Sequence, residues 1–76
     1  MKEILETIIL NMVDNKDAVV ITETLEERKA NYVVKIVEED MGRIIGKQGK
    51  TAKAIRMVMK SVAGKEHKRI NIEFVN

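Results

Sequence analysis

The 76-residue sequence contains no cysteine and no tryptophan, and His67 is its only histidine. The first absence excludes disulfides and thiolate metal sites, and a single histidine cannot build a His-rich one, so no metal is expected. A cysteine-free chain fits a reducing compartment. Only Tyr32 and Phe74 are aromatic, and both fall on faces that read as core, so no platform for stacking bases is expected. No apolar run approaches the roughly 18 residues of a membrane span. The N-terminus, MKEILETIILNMVDNKD, carries acids and no small-residue cleavage site, unlike a signal peptide. A cytoplasmic protein is the expectation. No nucleophile stands beside a general base, and no enzyme is expected.

What the chain does have is an uneven charge. The net charge is only +2, yet Met41–Arg69 carries nine Lys or Arg and one acid, Glu66. The remaining residues carry five bases and eleven acids. Such asymmetry leaves one strongly electropositive region and points to a polyanion or an acidic partner.

Periodicity supplies the elements. Ile4, Leu5, Ile8, Ile9, Met12 and Val13 form one helical stripe over residues 2–13. Residues 18–25, AVVITETL, and 31–37, NYVVKIV, read as strands of an antiparallel hairpin joined by a loose charged turn at 26–30. Asp40 reads as the cap of a short helix, MGRIIG. A second helix is predicted from about Lys50 to Val62, with Ala52, Ile55, Val58, Met59 and Val62 buried and Met57 also filling core. Gly64 reads as its C-terminal cap within a 63–68 loop. Residues 69–75 alternate, with Ile70, Ile72 and Phe74 inward. The order is α-β-β-α-α-β in one domain spanning residues 1–76: an α+β fold with a three-stranded mixed sheet and three helices on one face.

Between the two predicted helices lies GRIIGKQGK, residues 42–50, holding three of the four glycines. Gly46 and Gly49 form a GxxG, a spacing that chance supplies in about a third of chains this long at ~7% glycine. Its setting is more informative. Glycine allows positive φ and close approach, and amides opening the next helix attract an anion. Arg43, Lys47 and Lys50 add full charges, with Gln48 a neutral spacer. Lys53, Arg56 and Lys60 form a basic stripe on the following helix, and Lys65, Lys68 and Arg69 extend it toward the last strand. There is no GxxxxGK[ST] or GxGxxG pattern, so no nucleotide cofactor is expected. A repeating phosphate chain fits better. Glu38, Glu39 and Asp40 read as helix-terminus residues rather than catalytic carboxylates. Ile45, on an apolar face, reads chiefly as core.

GRIIGKQGKTAKAIR resembles the signature of the KH domain, whose GxxG loop clamps about four nucleotides of backbone. The element order matches the type II arrangement. MKEILETII, VDNKD and EEDMGRIIGKQGKTAKAIR together resemble the KhpA family of stand-alone bacterial KH proteins. The resemblance implies a Gly46–Gly49 loop against phosphates. It implies a groove floored by Ile44, Ile45 and Ile55, with the last strand and the 63–68 loop opposite. It also implies RNA chaperone or post-transcriptional regulatory activity, self-association into a homodimer, and pairing with a larger KhpB-type KH protein. A single-stranded RNA-binding module is the leading reading. A protein–protein adaptor or dimerisation module, and a single-stranded DNA binder, are the alternatives.

Overall fold

The computed structural model describes residues 1–76. Its elements are α1 (Lys2–Leu10), β1 (Val20–Leu25), β2 (Lys29–Lys35), α2 (Glu38–Ile45), α3 (Lys50–Lys65) and β3 (Arg69–Val75), with short 3-10 turns at Lys16–Ala18 and Lys47–Gly49. The sheet order is β1-β2-β3. β1 pairs antiparallel to β2, with Glu23 opposite Tyr32. β2 pairs parallel to β3, with Tyr32 opposite Ile72. A parallel pair requires a crossover connection, and α2 with α3 provides it.

The helices share one face of the sheet. Ala30, Tyr32 and Val34 alternate along β2 and are fully or almost fully buried. They meet Leu5 and Ile9 of α1, Ile44 of α2, Ile55 and Met59 of α3, and Ile72 of β3 in one cluster. The opposite face carries Thr22, Thr24, Asn31, Lys35, Asn71 and Glu73 in register and is covered by no helix. Tyr32 keeps its hydroxyl satisfied by donating to the Glu23 carboxylate at 2.7 Å. Burial, that hydrogen bond and the nearby negative charge all raise the phenol's pKa.

Several boundaries differ from the sequence reading. α1 stops at Leu10, where Asn11 turns its side-chain amide onto the Thr7 carbonyl at 2.7 Å. Val13 nevertheless reaches the core from the turn that follows. β2 begins two residues early, so the hairpin turn is tighter than 26–30: Glu26 N–H donates to the Lys29 carbonyl at 2.8 Å. α3 runs three residues further than Val62, and Gly64 lies inside it rather than capping it. His67, with φ 57°, takes the left-handed turn instead. Met57 is 72% exposed and Val58 49% exposed, so neither fills core. The buried stripe is narrower, Ala52, Ile55, Met59 and Ala63, positions spaced three and four residues apart along one side of the helix.

Candidate nucleic-acid interface

The site begins with an abrupt change of chain direction. α2 ends at Gly46, with φ 73° and ψ 178°, a conformation open essentially to glycine alone. A Cβ there would collide with the Thr51 hydroxyl, and would stand 2.8 Å from Thr51 Cβ and 3.0 Å from its backbone nitrogen. Gln48 (φ 56°) and Gly49 (φ 73°) are also left-handed. Together they turn the chain so that α3 starts at Lys50 with Gly49 as its N-terminal cap. No side chain caps that end and no acid lies in its first turn. Its leading N–H groups lack intrahelical acceptors, and the helix dipole puts partial positive charge beside them. Lys47 and Lys50 are exposed at the same place.

From this turn an open groove of about 460 Å³ runs between α3 and β3. That is within the usual size of a ligand cleft. Ile45, Gly49, Ala52, Lys53 and Arg56 form one side, and residues 71–74 of β3 form the other. Arg56 spans the two. Its Nε and Nη2 both donate to the Ile72 carbonyl at 3.3 Å, and its guanidinium lies over the Phe74 ring, 5.2 Å from the centroid. The groove continues along the α3–β3 seam. Arg56, Lys60 and Ile70 line the next recess, and Lys60, Lys68 and Arg69 the one beyond.

The structure divides the isoleucines differently from the sequence reading. Ile44 is completely buried, Ile55 is 4% exposed, and neither lines the groove; both support it from the core. Ile45, read as core, is 38% exposed and lines the groove. Adjacent helical residues point about 100° apart, so only one of the pair can face the sheet. Arg43 lines no part of the groove and is paired with Asp14 at 2.8 Å. Lys65 is exposed at the end of α3 and lines none of the recesses. Gln48 and Lys47 stand on the exposed turn. Neither ion pair of the protein involves Lys47, Lys50, Lys53, Arg56, Lys60, Lys68 or Arg69. Their charges are uncompensated by any carboxylate within 4.0 Å.

Two features escaped the sequence. Phe74 packs partly buried against the core and also forms a groove wall, because β3 is an edge strand. Alternation located its face but not its position at the edge. Arg28 and Lys29 join His67 and Arg69 around a wholly polar cleft at the far end of the seam. The parallel register that sets Lys29 opposite Arg69 creates this cluster, and no local signal announces it.

Asp40 holds the α2 end of the site in place. It does not cap α2, whose N-terminal cap is Val37. It is 2% exposed, and its two carboxylate oxygens accept the backbone N–H groups of Asp14 and Asn15 at 3.2 and 3.1 Å. The Asn15 N–H lowers its pKa most; burial opposes this, and the Asp14 N–H and Arg43 assist. The carboxylate thus joins the loop after α1 to the helix that leads into the glycine turn.

A GxxG turn between two helices, set in an α-β-β-α-α-β chain with a mixed three-stranded sheet, is the plan of a type II KH domain. The sequence model of the family described as "KhpA/KhpB, KH domain" matches residues 2–74. The protein named RNA-binding protein KhpA of Clostridium acetobutylicum is 47% identical over 75 residues, covering 99% of this chain and 100% of that one. Its namesakes in Clostridium perfringens (99% and 100% covered) and Listeria monocytogenes (99% of each) are 44% and 40% identical. No solved structure matches. The chain belongs to the KhpA/KhpB family of KH domains.

Proposed function

We propose that the chain is a single-domain, single-stranded RNA-binding protein that holds the phosphate backbone on the Gly46–Gly49 turn and lays bases along the α3–β3 groove. One observation carries this reading: an uncapped, acid-free helix N-terminus, flanked by free lysines, opens directly into a groove of mixed apolar and basic lining. Its relatives' name, RNA-binding protein KhpA, supports the same reading. Lys47 and Lys50 meet phosphates, Lys53, Lys60 and Lys68 follow the strand along the seam, and Ile45 and Ala52 contact bases. Arg43 adds only long-range charge. A role as an RNA chaperone or post-transcriptional regulator in the cytoplasm follows from such non-catalytic binding. No helix is long and apolar enough to cross a membrane.

Amide chemical-shift mapping with a uridine-rich octamer tests this. Perturbations are expected at residues 46–53 and along β3. Perturbations confined to the open sheet face, or none at millimolar RNA, would remove the groove as the site.

We also propose that the chain self-associates or pairs with a KhpB-type KH partner. Met57 and Val58 on α3 and Ile4 on α1 are exposed apolar side chains on the two helices that pack together at the back of the sheet. Covering them would extend a small core.

A further inference from the structure

Resting on the RNA-binding reading above, we propose that the cleft formed by Arg28, Lys29, His67 and Arg69 is a second phosphate-binding site. It takes the RNA strand after it leaves the α3–β3 groove and lengthens the footprint beyond the nucleotides held at the glycine turn.

The cleft is assembled from three segments. The turn between β1 and β2 leads through Arg28 into Lys29, the loop after α3 supplies His67, and β3 begins with Arg69. Backbone hydrogen bonds hold these segments together. The Arg28 carbonyl accepts the Arg69 N–H at 2.8 Å, and the Lys29 carbonyl accepts the Glu26 N–H at 2.8 Å. At the end of α3, His67 N–H donates to the Gly64 carbonyl at 3.1 Å and Lys68 N–H to the Ala63 carbonyl at 3.0 Å. None of these bonds uses the side chains of Arg28, Lys29, His67 or Arg69, which are all exposed.

Gathering these cations costs stability. Lys29 and Arg69 are register partners on adjacent strands and share the sheet face that no helix covers. Neighbouring strands lie about 4.8 Å apart, and like charges placed opposite one another repel. Glu26, Glu27 and Glu66 are close in sequence, yet no carboxylate comes within 4.0 Å of Arg28, Lys29 or Arg69. The partial negative charge at the end of α3 accounts for Lys65 and Lys68. It does not account for Arg28 and Lys29, which belong to the hairpin. Cations left without acids suit a phosphate, and each guanidinium can offer it a fork of two donors.

Continuity assigns that phosphate to the same strand. The groove at the glycine turn shares Arg56 and Ile72 with the next recess, which shares Lys60 and Ile70 with a third. The third shares Arg69 with the cleft. The path follows α3 from Lys50 to Gly64, roughly 21 Å at 1.5 Å per residue, and rounds the start of β3 at Arg69. A GxxG clamp occupies about four nucleotides, so the cleft receives roughly the fifth or sixth phosphate.

The test titrates the full chain with a hydroxyl-ended uridine tetramer and octamer and follows the amide chemical shifts. The tetramer is expected to perturb residues 46–53 and the middle of β3. The octamer should add Arg28, Lys29 and residues 67–69. An Arg28→Gln, Lys29→Gln double variant removes two charges and leaves the backbone bonds in place; circular dichroism checks its fold. It should weaken the octamer on the order of tenfold, lower its salt slope by about 1.4 for two lost phosphate contacts, and leave the tetramer within about twofold. Lys65→Gln, at the same end but outside the cleft, should affect both lengths alike. Equal weakening of both lengths by the double variant would reduce the cluster to long-range steering and overturn the inference. An octamer that leaves Arg28 and residues 67–69 unperturbed would do the same. Perturbation there only when the octamer carries a terminal phosphate would also overturn it, by making the cleft a site for strand ends. If neither length perturbs residues 46–53, the RNA-binding reading itself fails, and this inference with it.

Discussion

At Gly46 the requirement for glycine is structural before it is functional. Its backbone conformation and the Thr51 side chain both exclude a Cβ. Gly46→Ala should cost about 2 kcal/mol of stability, read by urea denaturation, from a strained φ/ψ combined with overpacking. Gly49 is left-handed but borders open space, so its alanine variant should cost less. Asp40 is the other residue that holds the site. Its folded pKa lies below its unfolded value, so it contributes stability above about pH 4, lost as pH falls through the folded value. Asp40→Asn should unfold at a lower temperature than the wild type at pH 7, with the gap narrowing below pH 4; a gap independent of pH would contradict this. The glycine turn's need for positive φ was legible from the sequence; the clash with Thr51 and the role of Asp40 were not. A buried carboxylate serving amides 25 and 26 residues away looks like a local helix cap. Two neighbouring isoleucines look alike until the helix is rotated against the sheet.

At the level of elements, type and order were legible because each segment carries its own period. β3 and the start of α3 were placed to the residue, the first by strict alternation and the second by the glycine before it. The ends of α1, β2 and α3 were not, because tertiary contacts set them: Ala30 is pulled into the core and so extends β2. Gly64 is the clearest case. A glycine near a helix end suggests a cap, yet it is helical, exposed and has no atom within 4 Å of a Cβ position. Gly64→Ala should therefore stabilise the protein by about 0.5–1 kcal/mol, seen as a Tm higher by a few degrees. A destabilised variant would mean that the left-handed turn begins earlier than His67.

Over the whole molecule, two surfaces differ in chemistry. The α3–β3 seam gathers unpaired basic groups from three separate segments, including Arg28 and Lys29 that the sequence left unassigned. The charge imbalance along the chain forecast one positive region, but the parallel register decided where its far end lies. The outer faces of α1 and α3 keep apolar groups without partners. Val58→Glu should convert a self-associated species to monomer in analytical ultracentrifugation, at little cost to folding since Val58 is half exposed. An unchanged sedimentation coefficient would remove this face from the interface.

Whether the glycine turn grips a nucleic-acid backbone is decided by titrating single-stranded RNA with the wild type and a Lys47→Asp, Gln48→Asp double variant. Residue 48 is left-handed, a conformation aspartate tolerates, so the variant should remain folded. Two carboxylates at the phosphate position should lower RNA affinity by on the order of tenfold or more and flatten its dependence on salt. A folded double variant that binds RNA as tightly as the wild type, with the same salt slope, would contradict the account.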